Sequence, residues 1–405
     1  MAPSRFGDWF RLVRRCSSEC IDVAHLLIPE YGRSTLGEVL PAVAAHLAPE
    51  LGSSDVLGLA AAKRYVLVMV DGLGHQLLHR TRARAPYLAE LLDHGLVLTS
   101  AVPATTATSL STLGTGCEPG RHGIVGYTFR AMNEIINALT WDDRLDPLDF
   151  QPEPTWFEAL AGVGIAVSTV SLATFEGTGL TLAALRGTHF VGLDDELDDQ
   201  TRVDQVVAAS RAGERSLVYA YERRLDHAGH GNGWGSEVWR QTLDGIDAWL
   251  EHLRGELDPD TCLLVTGDHG MVDVPGDRQI VIEDTPGLLN GLDLIGGEGR
   301  LRQLYAERPD EVAAQWRRRL GERAVVRLRD EAIEEGWFGK VEPSIGLRIG
   351  DVLVALQGDW SIMTLTRPGE FTLVGQHGSL TAEEMCVPLL VDCLGRGTSP
   401  SLGRA

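Results

Sequence analysis

Four short segments of this chain carry nearly all the side chains that could do chemistry together. Val70-Asp71-Gly72 offers one carboxylate, and Asp226-His227-Ala228-Gly229-His230 offers a carboxylate and an imidazole four residues apart. Thr266-Gly267-Asp268-His269-Gly270-Met271 sets Asp beside His, and Gly375-Gln376-His377-Gly378 adds a last imidazole. Asp71, Asp226 and Asp268 with His230, His269 and His377 make a mixed oxygen and nitrogen donor set. Such a set suits zinc or manganese better than magnesium or calcium, whose sites are richer in oxygen. It divides into two sites of three ligands, and two ions about 4 Å apart can stabilise both the attacking and the leaving oxygen of an in-line phosphoryl displacement. Taken singly, an Asp-Gly after a strand also reads as a turn and a Gly-x-His-Gly as a loop histidine. Their joint placement at strand ends is what favours metal.

A two-metal site needs a nucleophile. The hydroxyl-rich run Val102-Pro-Ala-Thr-Thr-Ala-Thr-Ser-Leu-Ser-Thr-Leu-Gly-Thr-Gly116 lies between the first carboxylate and the others. Its composition reads equally as a capped helix start, since Ser and Thr favour N-caps. The two readings are compatible: a threonine at a helix N-terminus, touching a metal, has its hydroxyl pKa lowered among N–H donors suited to phosphate.

The elements that must position these residues are visible as short apolar runs ending in polar punctuation, the mark of strands buried on both faces of a parallel sheet. Tyr65-Val-Leu-Val-Met-Val70, Val163-Gly-Ile-Ala-Val-Ser-Thr-Val170, Ser216-Leu-Val-Tyr-Ala220 and Thr261-Cys-Leu-Leu-Val-Thr266 repeat the pattern. Helix-like stretches such as 236–254 separate them. Alternating β and α implies a doubly wound, mostly parallel α/β sheet flanked by helices. In such sheets the ligand crevice lies outside the carboxyl ends of the strands, where Asp71, Asp226 and Asp268 can converge.

Around that core, residues 1–60 read as a helical N-terminal extension with Ser34 or Thr35 as an N-cap; His25 and His46 there read as packing histidines. Residues 61–272 and 346–395 read as the catalytic core, the latter resuming with Asp351-Val-Leu-Val-Ala-Leu. Residues 273–345 read as an inserted α+β cap, with a charged helix over 310–319, and 396–405 as a flexible tail.

The net charge of −21 argues against a nucleic acid polymer or an anionic membrane as partner. A polyanionic substrate must then be drawn by local positive charge, which metal ions supply compactly. The cysteines at 16, 20, 117, 262, 386 and 393 show no framework spacing, so a reducing compartment is expected and a zinc ribbon at Cys16 and Cys20 is not. No apolar stretch is long enough for a signal peptide or a membrane span, which makes a cytoplasmic protein the expectation.

The order of these motifs resembles the alkaline phosphatase superfamily, in particular its type I phosphodiesterase/nucleotide pyrophosphatase branch. The resemblance runs from about Tyr65 to about Asp392, outside most of the insertion. It rests on Asp71-Gly72, Pro103-Ala-Thr-Thr106, Thr115-Gly116, Pro119, His122-Gly-Ile124, Asp226 to His230, Thr266 to Met271 and Gly375 to Gly378. It implies an alkaline-phosphatase-like fold and Thr106 as the nucleophile, rather than Thr105 or Thr108. It further implies that Asp226, His230 and His377 hold one divalent ion, while Asp71, Asp268 and His269 hold the other, which also contacts Thr106. By the same resemblance Thr106 attacks phosphorus, and the first ion stabilises the departing oxygen and then activates the water that frees the phosphothreonine. His122 and His227 read as structural.

Where nucleotide-hydrolysing members carry Thr-Phe-Pro-Asn, this chain has Thr106-Ala107-Thr108-Ser109. Base stacking by residue 107 is lost, and Ser109 is left as a substrate-binding candidate. The reading is therefore a metal-dependent hydrolase of a phosphodiester or pyrophosphate bond in a small phosphorylated molecule. Rival readings are a phosphomonoesterase, a phosphonate (C–P) hydrolase, a phosphomutase and, outside enzymology, a metal-retaining binding protein. Specificity is expected in the insertion and in loops such as Trp141-Asp-Asp-Arg and Phe175-Glu-Gly-Thr-Gly. Trp141, Trp337 and Phe338 are wall candidates that also read as cap packing. Arg121 reads as structural, whereas Arg300 or Arg302 of the cap could bring a cation to the site.

Overall fold

The computed structural model describes residues 26–393. The flexible-tail reading of 396–405, and the readings of His25, Cys16 and Cys20, fall outside the described residues. The apolar runs become the centre of a seven-stranded sheet: β1 (Arg64–Val70), β2 (Leu96–Thr99), β3 (Ala166–Leu172), β4 (His189–Leu193), β5 (Ser216–Glu222) and β6 (Thr261–Thr266). Four further strands come from the cap, β7 (Leu294–Glu298), β8 (Leu301–Tyr305), β9 (Ala324–Leu328) and β10 (Val352–Leu356). The last core strand is β11 (Cys386–Cys393).

The core order is β2-β11-β6-β1-β5-β3-β4. β6, β1, β5, β3 and β4 run parallel, and β11 is antiparallel to both of its neighbours. Alternation along β1 explains the unbroken apolar run: Tyr65, Leu67 and Met69 enter one core, and Val66, Val68 and Val70 the other. The first core takes α1 (Val39–Leu47) and α2 (Thr106–Thr115). The second takes α3 (Asp199–Ser210), α4 (Arg224–Asn232) and α5 (Glu237–Glu256).

Local chemistry sets the ends of these elements. Thr35 closes a capping box with Glu38, and Ser236 accepts from Trp239 N at the start of α5.

Two expectations change. The run at 352–356 does not return to the core: β10 pairs antiparallel with β8 and β9 in a separate four-stranded sheet of order β7-β8-β10-β9. Its five residues are buried from both sides: α6 (Pro309–Leu320) covers Val352, Val354 and Leu356 with Val312, Ala313, Trp316 and Leu320, and Leu353 and Ala355 face the first core. A strand buried on both faces reads alike in either sheet, and the chain rejoins the core only at β11. The cysteines change as well. Cys262 and Cys393 are register partners on β6 and β11 and are joined as a disulfide, at odds with the reducing compartment read from their spacing. Among the described residues no helix is long and apolar enough to cross a membrane.

Candidate active site

The parallel strands deliver their carboxyl ends to one rim. Asp71 follows β1 directly, its N–H donating to Glu222 O at the end of β5 (2.8 Å). Asp268 stands two residues past β6, and Asp226 lies in the first turn of α4 just after β5. Gly72 makes this convergence possible: at φ +76°, a Cβ there would stand 3.2 Å from Cβ of Asp226.

His269 is the hub. Its Nε2 lies 3.4 Å from Asp71 Oδ1, 3.4 Å from Asp268 Oδ2 and 3.3 Å from Thr106 Oγ1. The His377 ring stacks on it with centroids 3.6 Å apart, and the His230 ring is 5.2 Å from that of His377. His230 Nε2 in turn meets Asp226 Oδ2 at 3.3 Å, four residues back on α4. These contacts join all seven residues singled out as ligands or nucleophile, across about 300 positions of sequence. The tightest donor groups are Asp71, Asp268 and His269, as expected, and Asp226, His269 and His377, where His230 was expected in place of His269. His230 is turned to Asp226 instead, as an i,i+4 pair.

Each imidazole is anchored at its other nitrogen. His230 Nδ1 lies 2.7 Å from Gly375 O, His269 Nδ1 3.0 Å from Gly270 O, and His377 Nδ1 2.8 Å from Ala104 O. A carbonyl oxygen can only accept, so each Nδ1 donates to it and Nε2 is the nitrogen left to ligate an ion. The carboxylates match: Asp71 Oδ1, Asp226 Oδ1 and Asp268 Oδ2 are buried without a hydrogen-bond partner. Asp268 Oδ1 is satisfied by the N–H groups of Gly72 and His269 (both 3.0 Å), and the Tyr221 hydroxyl donates to Asp71 Oδ2. Burial first, then the charges of Asp268 and Asp226, hold the Asp71 carboxyl well above the usual range.

Thr106 is the first residue of α2. Ser109, three residues on, is fully buried, and its hydroxyl lies 2.9 Å from that of Ser100, which donates to Asp268 O. It lines no part of the cavity above the site. The substrate-binding reading of Ser109 thus gives way to one in which it braces the Asp268 loop from behind. His122 is structural as read: buried, bonded to Thr112 Oγ1 (3.0 Å) and kept neutral by burial, its pKa pushed down to about 3. Trp337 and Phe338 pack in the core, and Trp141 packs edge-on against Phe150. Phe175 and His227 do line the cavity.

That cavity, of about 1080 Å³, opens over Asp71, Thr106, Asp226, His230 and His377 and runs between the hairpin at 128–137 and the cap strand β7. Two of its residues escaped sequence reasoning, Tyr221 and Glu298. Tyr221 gave no signal in the sequence: it stands beside the end of β1, where Asp71 follows, because the register pairs it with Met69.

A mostly parallel α/β sheet bearing this cluster at its carboxyl rim defines a member of the alkaline phosphatase superfamily. The chain belongs to the type I phosphodiesterase/nucleotide pyrophosphatase family, whose sequence model matches residues 65–380. Among solved structures it is similar to human ectonucleotide pyrophosphatase/phosphodiesterase 5, at 19% identity over 81% of this chain and 87% of that one, with a TM-score of 0.65. The murine protein, in an inactive form in complex with AMP, is similar at 17% identity over 80% of this chain and 87% of that one (TM-score 0.64). Phosphonoacetate hydrolase from Sinorhizobium meliloti 1021, in complex with phosphonoformate, is similar at 19% identity over 82% and 91% (TM-score 0.61). At these identities the likeness is one of fold. No curated protein matches the sequence.

Proposed function

We propose that this protein is a two-metal hydrolase that cleaves a phosphodiester or pyrophosphate bond in a small molecule through a phosphothreonine formed on Thr106. The observation that carries the reading is the donor set: three carboxylates, each with a buried unpartnered oxygen, around three imidazoles whose Nδ1 atoms are each tied to a backbone carbonyl, which leaves Nε2 as the ligating atom. Like charges this close and this dry call for cations between them. Asp226, His230 and His377 would hold one divalent ion, and Asp71, Asp268 and His269 the other, with Thr106 in contact. Zinc suits these donors, and manganese also fits. When bound, the ions supply positive charge to the phosphoryl group and to the oxygens that attack and leave.

The chain does the rest. α2 holds Thr106 at its N-terminus, where free N–H groups favour a phosphoryl anion. The Thr106 Oγ–P bond forms as the bond to the leaving oxygen breaks, and the threonine proton ends on that oxygen. Water then cleaves Oγ–P and restores the hydroxyl. Tyr221 keeps one Asp71 oxygen occupied, so that the other faces the ion. Tyr221→Phe is therefore expected to weaken metal binding roughly 10- to 100-fold, read by calorimetry on the stripped protein. An unchanged affinity would remove Tyr221 from this role.

A small diester or pyrophosphate is favoured over a monoester because, among the described residues, each arginine that lines the cavity or is a candidate for the site is already engaged by a carboxylate or a carbonyl. Arg300 and Arg302 are buried in ion pairs with Glu384 and Glu370, and Arg121 pairs with Glu153. Of the arginines lining the cavity, Arg223 is held by Glu196 (2.6 Å), and Arg367 donates to the carbonyls of Gly297 and Ile295. The murine relative binds AMP, but Ala107 is buried here and offers no surface for a base. Bis-nitrophenyl phosphate is expected to exceed mono-nitrophenyl phosphate in kcat/KM by at least about tenfold, since one missing charged contact is worth that much. A preference for the monoester would move the protein to the phosphomonoesterase reading.

A further inference from the structure

The cap places one carboxyl group at the cavity with an oxygen left unmet and no arginine paired to it. Glu298 ends β7, is only 9% exposed and lines the cavity, with its Oε1 lacking any hydrogen-bond partner. The acidic side chains around it are satisfied. Glu384 receives both Nε and Nη2 of Arg300, at 3.0 and 2.7 Å, and Glu370 is ion-paired with Arg302. A structural carboxyl in this wall thus has an arginine, and Glu298 does not.

Its position is built from the site side as well. At Gly378, with φ +128°, a Cβ would lie 2.7 Å from Glu298 Oε1, so the last glycine of Gly-Gln-His-Gly is what lets the carboxyl rest on the loop carrying His377. The hydroxyl of Thr105, the residue before Thr106, bonds the same carboxyl group. A buried acceptor is thereby brought beside both the nucleophile segment and the last histidine. Left unmet, such an oxygen is costly.

We propose that Glu298 contacts the substrate, accepting a hydrogen bond from a hydroxyl or ammonium group on an arm attached to phosphorus. This rests on the phosphohydrolase reading above. An ionised Glu298 can only accept, and phosphoryl and ester oxygens are themselves acceptors, so the donor that holds it in that form must come from the arm. Burial, opposed by Thr105 and Arg302, pushes the Glu298 carboxyl up to about 8; an ammonium brought against it favours the charged form and gains the stronger pairing. The substrates so selected are phosphate or phosphonate esters of hydroxy- or aminoalkyl groups.

The test is calorimetric binding of ethylphosphonate, 2-hydroxyethylphosphonate and 2-aminoethylphosphonate to the zinc-loaded full chain, its Glu298→Gln and its Glu298→Ala variants. The aminoethyl compound is expected to bind roughly 10- to 100-fold tighter than the ethyl one, with the hydroxyethyl compound between them. Glu298→Gln should keep the hydroxyl preference and lose that for ammonium, and Glu298→Ala should bring both ratios to about one. A carboxyl that only holds the cap would, when changed, lower all three affinities together and leave the ratios standing. That result, or equal binding of the three by the wild type, overturns the proposal. Failure of every phosphonate to bind while the zinc-loaded chain still hydrolyses bis-nitrophenyl phosphate overturns the proposal alone, whereas failure of both defeats the phosphohydrolase reading itself.

Discussion

Thr106→Ala is expected to lower turnover of bis-nitrophenyl phosphate by at least about 10³-fold while metal content and melting temperature stay as they are. The hydroxyl stands 3.3 Å from His269 Nε2, at the N-terminus of α2 and at the floor of the cavity, where it can form a bond to phosphorus. Alanine at the first position of α2 keeps the helix, since it has the higher helix propensity and Thr106 is not the N-cap. The neighbours discriminate between chemistry and capping. Thr105 is the N-cap residue but makes no side-chain capping bond, and the Thr108 hydroxyl is buried without a partner. Thr105→Ala and Thr108→Ala should therefore cost less than about tenfold. Mass spectrometry of acid-quenched enzyme should find phosphate on the peptide carrying Thr106 in the wild type alone. Equal damage from all three substitutions would make this run a capping segment and leave the nucleophile unassigned.

Much of this site was legible because its carboxylates and imidazoles obey local rules. A carboxylate just past an apolar run marks a strand end, and Asp71 and Asp268 carry that signature within two residues of their strands. Asp226 and His230 lie four apart on one helix face, a spacing visible in any sequence. Features that depend on register or on a distant segment were not legible. Tyr221 reaches Asp71 only because β5 pairs with β1, and Glu298 reaches Gly378 only because the cap folds back over the core. Ser109 failed for a simpler reason. On a helix whose residues 107 to 115 are buried, a hydroxyl three positions past Thr106 turns into the protein and not toward the ligand. The misplaced β10 and the unforeseen Cys262–Cys393 pair belong to the same class, since sheet membership and cross-strand neighbours are long-range facts. The last core strand was hidden as well, for it contains Pro388, a residue that argues against a strand when read alone.

Removing the metal should destabilise the protein, and more so as the pH rises. Two sites each saturated at about a thousand times their Kd add on the order of 8 kcal/mol to the loaded fold, a shift in Tm on the order of 10 °C for a chain of this size. Without cations the burden falls on the carboxylates. Asp71 has its pKa raised by burial and by Asp268 and Asp226, so the folded state holds a proton that the unfolded state, with a pKa of about 3.9, has released. Its contribution is thus fully present below the unfolded value and is lost as pH rises through the folded one, at up to about 1.4 kcal/mol per pH unit. His377 pulls the other way: burial, then His269 and His230, depress its pKa, so it destabilises only below about 6.5, where the unfolded ring gains a proton. The clean window therefore starts near pH 7. Melting curves from pH 6 to 9 should show the chelated protein losing stability until the folded pKa of Asp71 is passed, and zinc restoring it most above that point, because ligation needs the deprotonated donors that the bare fold resists. Asp71→Asn supplies the control: relieved of one buried charge, the chelated variant should melt higher than the chelated wild type and lose part of its pH slope, yet gain little from zinc. Chelated and zinc-loaded proteins with the same pH slope would mean that Asp71, Asp268 and Asp226 are not holding cations, and the two-metal reading would fall with them.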